Sequence, residues 1–313
     1  MRRIFSPLEF IHDDYAIIKG QSALHICKVL RMKQGSNLEL FNGKGSTYKG
    51  VIQAVSAKEV VVFISEKHAV TPHPPPKIVL CQGLIKGNRF DWIIEKVTEL
   101  GIDIIIPIIT SRTKIHLHDK GSEKLERWKR IAINASEQSG RDTIPEITQP
   151  QLYSNIINKI SSLSSAPPLS GSSIPIPGPS SPSTGTFRPY GIFGLPGIFD
   201  PSSPSRIFET FGPQGSSRSA GSSTCISILF WENEKAVTLK QLLPKLPPEE
   251  LWCIIGPEGG FSQDEVLQAE NSGVRTASLG SLTLRADTAP IATLAILRHT
   301  YPCSNEKSTN CSL

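Results

Sequence analysis

Two short glycine-containing turns lie close together in the last quarter of the chain. The first, at residues 256–260, reads GPEGG and follows an apolar strand pattern, and the second, at residues 278–281, reads SLGS. Glycine lets the backbone approach a ligand because no Cβ stands in the way. Two such turns in an α/β pattern usually face one ligand, so residues 251–289 are the stretch in which we expect a binding site.

The first turn lacks the features of a phosphate-binding loop. No Gly-Lys-Ser or Gly-Lys-Thr follows it, and its spacing is not Gly-x-Gly-x-x-Gly. Glu258 stands inside the turn, where a carboxylate would repel a phosphate. The pattern therefore favours an adenosine-type ligand that lacks phosphate and carries a positive charge. Arg285, which follows the second turn, is predicted to touch an anionic ligand or substrate.

Strands and helices alternate around these turns. Apolar runs predict strands at residues 77–84, 102–110, 226–231 and 251–255. Apolar spacings of three and four predict helices at residues 90–100, 122–139, 236–243 and 288–299. Ser262 and Glu265 form a Ser-x-x-Glu capping box, so a further helix begins there. This alternation is typical of a mainly parallel sheet.

Residues 1–70 form a separate unit that is rich in strand patterns. Strands are predicted at residues 38–41, 47–55 and 59–64, and a helix at residues 22–30 with Ser22 as its N-cap. The unit holds ten Lys or Arg and six Asp or Glu. The difference, +4, is most of the net charge of +5 that the whole protein carries. One interpretation is an ordinary charged surface. The other is a small barrel that grips a phosphate backbone through Arg2, Arg3, Lys28, Arg31 and Lys33.

Two further regions interrupt the α/β pattern. Residues 71–76 read TPHPPP, which predicts a stiff linker between units 1–70 and 77–302. Residues 161–225 contain 18 Ser, 11 Pro and 9 Gly among 65 residues and show no sustained period. That composition predicts a disordered or loosely packed insertion, and a Pro-rich docking segment is the alternative. Residues 303–313 are interpreted as a tail.

The remaining composition limits the class of protein. The formal net charge is +5, which permits an anionic partner such as RNA without requiring one. The six cysteines include no Cys-x-x-Cys pair, and no cluster has the spacing of a metal site, so we expect reduced thiols and no metal. The N-terminus lacks a signal-peptide run and no apolar stretch is long enough for a membrane span. We expect a cytoplasmic protein.

Several motifs in one order resemble a known family. They are GPEGGFSQDE, SLGSLTLRADTA, KGNRFDWIIEKVTELG, ERWKRIAINASEQSGR, and the N-terminal MRRIFS and HICKVLR. Together they look like the bacterial ribosomal RNA small subunit methyltransferase E family, a branch of the SPOUT class of S-adenosylmethionine-dependent RNA methyltransferases. The resemblance covers about residues 1–150 and 226–300.

The resemblance implies a fold, an activity and partners. The fold would be a small PUA-like β-barrel followed by an α/β domain with a deep trefoil knot. The activity would be methylation of uridine N3 in the decoding region of 16S rRNA, in the small ribosomal subunit, by a homodimer. The implied cofactor residues are Leu229, Phe230, Gly256, Pro257, Glu258, Gly259, Gly260, Leu279, Gly280, Leu284, Arg285 and Ala289. Lys86 and Arg89 join the predicted RNA-binding set.

The chemistry of that substrate suggests the catalytic groups. Uridine N3 carries a proton, so the protein must remove it or stabilise the negative charge that develops on the base. Arg285 and Arg141 are predicted to stabilise charge and contact RNA phosphate, and Glu137 is a candidate proton acceptor, although an ordinary helix-face carboxylate explains it somewhat better. The target base is expected to be exposed or flipped.

Three alternatives stay open from the sequence. One is a SPOUT RNA methyltransferase that acts on another base or RNA. The second is a non-catalytic RNA-binding or ribosome-assembly factor with the same fold. The third is a nucleotide-binding enzyme, against which the missing phosphate-loop lysine argues.

Overall fold

A computed structural model of the protein describes residues 2–68, 74–114, 121–163 and 225–302. Parts of three predicted regions lie outside these ranges: residues 71–73 of the linker, 164–224 of the insertion and the 303–313 tail. The boundaries that the sequence suggests for the linker, the insertion and the two domains stay predictions.

The N-terminal unit is a five-stranded mixed sheet. Its strands are β1 (Arg2–Phe5), β2 (Tyr15–Lys19), β3 (Asn37–Phe41), β4 (Thr47–Val55) and β5 (Glu59–His68), and the spatial order is β1-β3-β4-β5-β2. Only β1 and β3 pair in parallel. Alternate side chains along β2, β3 and β5 point inward, as the period of two predicts, and build one core with Ile4, Ile18, Leu40, Ile52 and Val62.

The helix expected at residues 22–30 begins and ends differently. Helix α1 (Gly20–Leu24) starts two residues earlier, with Lys19 as its N-cap, so Ser22 caps nothing. The chain then widens into a π-helical turn, His25–Val29. It leaves this turn through Arg31, whose φ of 49° lies in the left-handed region. The apolar spacing indicated a helix here, but it did not indicate the wider turn.

The C-terminal unit is a sheet whose strand pairs are all parallel. Its strands are β6 (Lys77–Gly83), β7 (Ile104–Ile109), β8 (Glu146–Ile147), β9 (Gln151–Leu152), β10 (Cys225–Phe230), β11 (Glu250–Ile255) and β12 (Arg275–Ala277). The spatial order is β12-β10-β11-β6-β7-β8, with β9 beside β7. The helices are α2 (Arg89–Glu99), α3 (Gly121–Ser139), α4 (Tyr153–Leu163), α5 (Leu239–Leu242), α6 (Gln263–Asn271) and α7 (Ala289–Thr300).

Helices cover both faces of this sheet, which explains why its strands read as nearly continuous apolar runs. On one face α2, α3 and α7 contribute Phe90, Ile93, Trp128, Leu294 and Leu297 to the larger core. On the other face α4 and α6 contribute Tyr153, Ile156, Ile157, Val266 and Ala269. The sequence predicts every strand and helix of this unit except β8, β9 and α4. The strand-like run before the second glycine turn is β12, and α5 is shorter than expected. The apolar spacing of α4 was a signal that the prediction overlooked.

The last helix, α7, packs over a different part of the sheet from the strand that precedes it, β12. β12 lies at the edge beside β10, yet α7 packs on α2, and Arg298 of α7 donates to Asp103 at 3.0 Å and to the Gly101 carbonyl. The chain therefore crosses the ends of β10 and β11 between residues 277 and 289. This crossing places the second glycine turn beside the first.

Polar contacts join the N-terminal sheet to the end of α3. The Phe5 N–H donates to Glu137 at 2.8 Å, and Arg3 donates to the Gly140 carbonyl at 2.6 Å and pairs with Asp142. Backbone bonds join Gly45 to Asp142 at 2.9 Å and residue 144 to residue 43 at 3.0 Å. Two side chains of this junction had other predicted roles, Arg3 in RNA binding and Glu137 as a proton acceptor.

Candidate active site

Three loops meet at one edge of the parallel sheet. Because β10, β11 and β12 run in the same direction, the loops that follow them, at residues 231–238, 256–262 and 278–288, leave from the same side. Together with Arg89 they line an open cleft of about 1130 Å³. Ligands of open α/β sheets bind outside the carboxyl ends of the strands, so the cleft lies where a ligand is expected.

The first glycine turn rests directly on the end of β6. A Cβ placed on Gly83 would lie 2.3 Å from the backbone nitrogen of Pro257, closer than any real side chain approaches. The buried amide of Gln82 donates to the Gly256 carbonyl at 3.3 Å, and the Gly260 N–H closes the turn on the Pro257 carbonyl at 2.9 Å. Only glycine at position 83 lets the turn reach this position.

The adjacent glycines of the turn are constrained in different ways. Gly260 has a φ of 67°, and a Cβ there would lie 2.3 Å from a carboxylate oxygen of Glu232. A Cβ on Gly259 would instead meet the Cβ of Arg112 at 3.1 Å, and Arg112 donates to the Gly259 carbonyl at 2.8 Å. Gly260 is therefore the position where the backbone itself requires glycine, whereas Gly259 packs against an arginine.

The predicted capping box fixes the far end of the same loop. One oxygen of Glu265 accepts from the Ser262 N–H at 2.9 Å, and Ser262 Oγ accepts from the Glu265 N–H at 3.3 Å. The other oxygen of Glu265 accepts from the Ser111 N–H at 2.7 Å. The carboxylate is buried, and these hydrogen bonds offset the cost of removing it from water. The prediction that α6 starts at this box is confirmed.

Polar contacts hold the loop at residues 278–288 beside the loop at residues 231–238. Ser278 pairs with Thr238 across a backbone bridge, and its hydroxyl accepts from the Gly280 N–H at 3.1 Å. Gly280 has a φ of 133°, and a Cβ on it would meet no atom within 4 Å. The turn is therefore held by backbone and hydroxyl groups and leaves open space above the glycine.

Glu258 is neutralised by its surroundings. Its carboxylate pairs with the Arg89 guanidinium and accepts from the Lys86 N–H at 3.1 Å. Glu258 therefore repels a phosphate less than the sequence suggested, because its pair with Arg89 carries no net charge.

Two other acidic side chains of the cleft differ in their partners. Glu234 accepts from the backbone N–H groups of Val237 and Ala236, which lower its pKa below the ordinary value. Glu232 makes no hydrogen bond or ion pair within the described ranges. The cleft thus presents one unpaired carboxylate, which suits a cationic ligand.

The cleft gathers the predicted cofactor residues with one exception. Phe230, all five residues of the first turn, and Leu279, Gly280, Leu284, Arg285 and Ala289 line it. Leu229 is fully buried in the core on the other face of the sheet, because successive side chains of a strand point to opposite faces. Leu229 is therefore placed away from a ligand in the cleft, and the role of the others stays a prediction.

Comparison with protein families identifies the chain at the level of its domains. The model for the RNA methyltransferase domain matches residues 72–166 and 216–298, which is more than half of the protein. The model for the RNA methyltransferase PUA domain matches residues 18–65. This chain belongs to the RNA methyltransferase domain family. It is therefore an enzyme of the methyltransferase class.

Known proteins of similar sequence align with nearly the whole length of this RNA methyltransferase. Ribosomal RNA small subunit methyltransferase E of Bacillus subtilis is 26% identical over 284 residues, covering 90% of this chain and 89% of the relative. The protein of the same name from Synechocystis is 25% identical over 297 residues, covering 94% and 76%.

Solved structures share the fold. A methyltransferase of Legionella pneumophila, Lpg2936, with bound SAM, has a TM-score of 0.69 at 27% identity and covers 95% of this chain and 96% of that one. Ribosomal RNA small subunit methyltransferase E of Neisseria gonorrhoeae, bound to S-adenosyl methionine, has a TM-score of 0.70 at 23% identity and covers 96% and 98%. The predicted fold class, a PUA-like unit followed by a SPOUT-type α/β domain, is confirmed, and the knot stays a prediction.

The RNA methyltransferase does not bring its three predicted catalytic residues together. Arg285 is exposed at the mouth of the cleft. Arg141 donates to the Thr98 carbonyl at 2.9 Å, at the opposite end of α2 from Arg89, and the helix rise puts those ends about 14 Å apart. Glu137 accepts from Phe5, and burial raises the pKa of its carboxyl. Arg141 and Glu137 are thus placed in the framework of the fold, away from the cleft.

The predicted RNA-binding residues divide into two groups. Arg2, Lys28, Arg31 and Lys33 are exposed on the N-terminal unit, where they are available to a phosphate backbone. Lys86 and Arg89 lie beside the cleft. Arg3 differs from both groups, because its side chain is 13% exposed and engages Asp142, with the guanidinium 4.8 Å from the Phe41 ring centre. Arg3 is therefore placed as a residue of the junction.

The described residues contain neither a metal-ligand group nor a membrane-spanning helix. Among the described residues no group of three or more His, Cys, Asp or Glu side chains is arranged to hold a metal ion. No helix within those same ranges is long and apolar enough to cross a membrane.

Three residues of the cleft region were missed from sequence. Gly83 ends a strand that looked ordinary, Arg112 lies in a polar loop, and Glu232 stands two residues after the end of β10. Of these, only Glu232 carried a usable signal, since a charged residue that follows a buried parallel strand lies at the ligand edge.

Proposed function

We propose that this protein transfers a methyl group from S-adenosylmethionine to N3 of a uridine in 16S rRNA. The observation that carries the proposal is the cleft, where loops after three adjacent parallel strands place two glycine turns and Arg285 together in an RNA methyltransferase fold. The names of the relatives support ribosomal RNA of the small subunit as the substrate. The two similar structures that hold the cofactor support its identity.

The residues of the cleft fit this cofactor. Phe230, Leu279, Leu284 and Ala289 offer an apolar surface to an adenine ring, and the backbone of both turns is available to its polar edge. The open space above Gly280 leaves room for a ligand to approach the backbone. Unpaired Glu232 complements a positive charge.

When bound, the cofactor supplies an electrophilic methyl group on a sulfonium. The task of the protein is to hold the target base in line with that methyl group and to manage the charge on the base. Arg285, whose side chain makes no hydrogen bond or ion pair inside the described ranges, is a cation at the mouth of the cleft. Its guanidinium stabilises the negative charge that develops on the uracil as the N3 proton leaves.

The rest of the chain supports binding of a large RNA. The exposed cations of the N-terminal unit contribute affinity through phosphate contacts, which carry no sequence information. We also propose that the protein acts as a homodimer in the cytoplasm, as the resemblance to the family suggests.

Methylation of purified 16S rRNA and of small subunits tests the proposal. With S-adenosylmethionine, we expect nucleoside mass spectrometry to find 3-methyluridine at one position, and a strain that lacks the gene to lose it. A methyl group on another base or another RNA would favour a different substrate. No cofactor binding by calorimetry, together with retained RNA binding, would favour a non-catalytic assembly factor.

A further inference from the structure

A second, smaller cavity adjoins the cleft. It has a volume of about 450 Å³ and is lined by Asn88, Arg89, Trp92, Arg285, Asp287 and Thr288. Arg89 and Arg285 line the cleft as well, so the two spaces meet at these side chains. None of the cofactor contacts discussed above uses Asn88, Trp92 or Asp287.

Trp92 gives this cavity a flat apolar wall. Its neighbours Phe90 and Ile93 on α2 are buried in the core, whereas Trp92 is 44% exposed. An exposed indole beside an arginine is suited to stacking on a nucleobase, because every base has a π-face. Trp92 and Arg285 line the same cavity, so a planar base that enters it meets both side chains.

The polar groups of the cavity match the edge of a uracil. Uracil presents an N3–H donor between two carbonyl acceptors. Asp287 supplies an acceptor, and its only hydrogen bond with a described residue is a long one of 3.4 Å from the Thr288 hydroxyl. Arg285 and Asn88 supply donors, and Asn88 precedes α2 without capping it through its side chain.

We propose that this cavity holds the target uracil and that Asp287 accepts its N3 proton. The inference rests on the proposed function and names the substrate subsite of that site. Asp287 also explains selection against cytosine, whose N3 has no proton and presents a lone pair. A carboxylate that faces that lone pair is repelled, so the wrong base is bound less well.

The proton and electron balance of the step is simple. The N3–H proton passes to the Asp287 carboxylate, and the N3 electron pair forms the new bond to the methyl carbon. The bond between that carbon and sulfur breaks, and its electrons stay on sulfur as a neutral thioether. A carboxylate and a sulfonium thus become a carboxylic acid and a thioether, and Arg285 stabilises the charge on the base between these states.

The decisive variant is Asp287→Asn, with Asp264→Asn as the matched control. Asp264 is exposed on α6 and lines neither cavity. We expect turnover on 16S rRNA to fall about 100-fold or more in Asp287→Asn, because a positioned base is lost. Calorimetry should give the same affinity for S-adenosylmethionine as the parent protein. Asp264→Asn should match the parent in both.

A substrate with a more acidic N3–H separates proton removal from simple positioning. Fluorine at C5 withdraws electrons, so RNA transcribed with 5-fluorouridine needs less help from a base. The deficit of Asp287→Asn should therefore be smaller on fluorinated RNA than on unmodified RNA. An equal deficit on both RNAs would overturn the assignment of Asp287 as proton acceptor.

Binding without turnover tests the stacking wall. Uridine monophosphate at millimolar concentration should quench the tryptophan fluorescence of the parent protein, and cytidine monophosphate should quench it less. Trp92→Phe should lose this quenching yet retain most activity, whereas Trp92→Ala should raise KM about 10-fold, since stacking on an aromatic ring contributes at this scale. Quenching that is absent in the parent protein, or unchanged in Trp92→Phe, would overturn the subsite.

The two levels of the proposal fail in different ways. If the parent protein forms no 3-methyluridine, the proposed function is wrong. If the parent forms it and Asp287→Asn turns over within about twofold of the parent, the proposed function stands and the role of Asp287 is overturned. Loss of cofactor affinity in Asp287→Asn would place this side chain at the cofactor and would also overturn the inference.

Discussion

The guanidinium of Arg89 pairs with the carboxylate of Glu258 across the mouth of the cleft. The two residues are 169 positions apart in the chain, and the pair joins the first turn of α2 to the first glycine turn. Glu258 also accepts from the Lys86 N–H at 3.1 Å. The pair therefore connects the wall that carries Trp92 with the turn that is proposed to hold the cofactor.

Removing this ion pair is expected to affect binding more than stability. Glu258→Gln and Arg89→Ala should each weaken S-adenosylmethionine binding several-fold in calorimetry, because the turn loses its link to α2. Both side chains are substantially exposed, so the free energy of unfolding should change by less than about 1 kcal/mol. If the two residues act as a unit, the double variant should bind S-adenosylmethionine as tightly as the single variant that has the lower affinity. Additive losses would contradict a direct coupling.

Gly83→Ala should disturb the cleft through the backbone. The new Cβ would lie 2.3 Å from Pro257 N, so the glycine turn must move. Overpacking of this kind costs about 1–3 kcal/mol in denaturant unfolding, and we expect cofactor affinity to fall at the same time. Gly50→Ala is the matched control, since its Cβ would lie 2.5 Å from the Phe63 carbonyl in the N-terminal sheet. It should lower stability while leaving cofactor affinity intact.

Glu232→Gln should reduce the preference for the charged cofactor. An unpaired carboxylate attracts a sulfonium by about 1 kcal/mol or more, so affinity for S-adenosylmethionine should fall about fivefold. S-adenosylhomocysteine has no sulfonium, and its affinity should change less. Glu249→Gln, an exposed residue outside the cleft, serves as the control. Equal losses for both ligands would show that Glu232 does not face the sulfonium.

Glu137→Gln tests the junction and a catalytic role together. Burial is the largest cause that raises the pKa of Glu137, while the Phe5 N–H lowers it in part. The folded state therefore holds the proton more tightly than the unfolded state. Ionisation of Glu137 costs stability as pH rises from the ordinary glutamate value through the raised one. Glutamine keeps an acceptor for Phe5 and has no charge to bury.

The raised pKa of Glu137 sets the direction in which stability changes with pH. Urea unfolding between pH 4 and pH 8 should show Glu137→Gln gaining stability relative to the parent protein as pH increases. Methylation at neutral pH should be unchanged, because the carboxylate is bonded to Phe5 in the junction. A large loss of turnover with normal stability would restore Glu137 as a proton acceptor.

Local patterns in the sequence were enough for most of the longer elements of the fold. The capping box at Ser262 and Glu265, the apolar face of α2 and the alternation along β5 each depend on residues within about ten positions of one another. Periodicity carries such information directly. The motifs around both glycine turns were also sufficient to indicate the family, and the parallel order of the strands then brings those turns to one edge.

The partners of individual side chains were decided only by the tertiary structure. Glu137, Arg3 and Arg141 looked available in the sequence, yet each is bonded to the backbone of another segment. Asp287 and Trp92 are 195 positions apart and share a cavity because the chain crosses the sheet before α7. Periodicity tells which face of an element is buried. It cannot tell which distant group meets a given side chain, since that depends on how the elements pack.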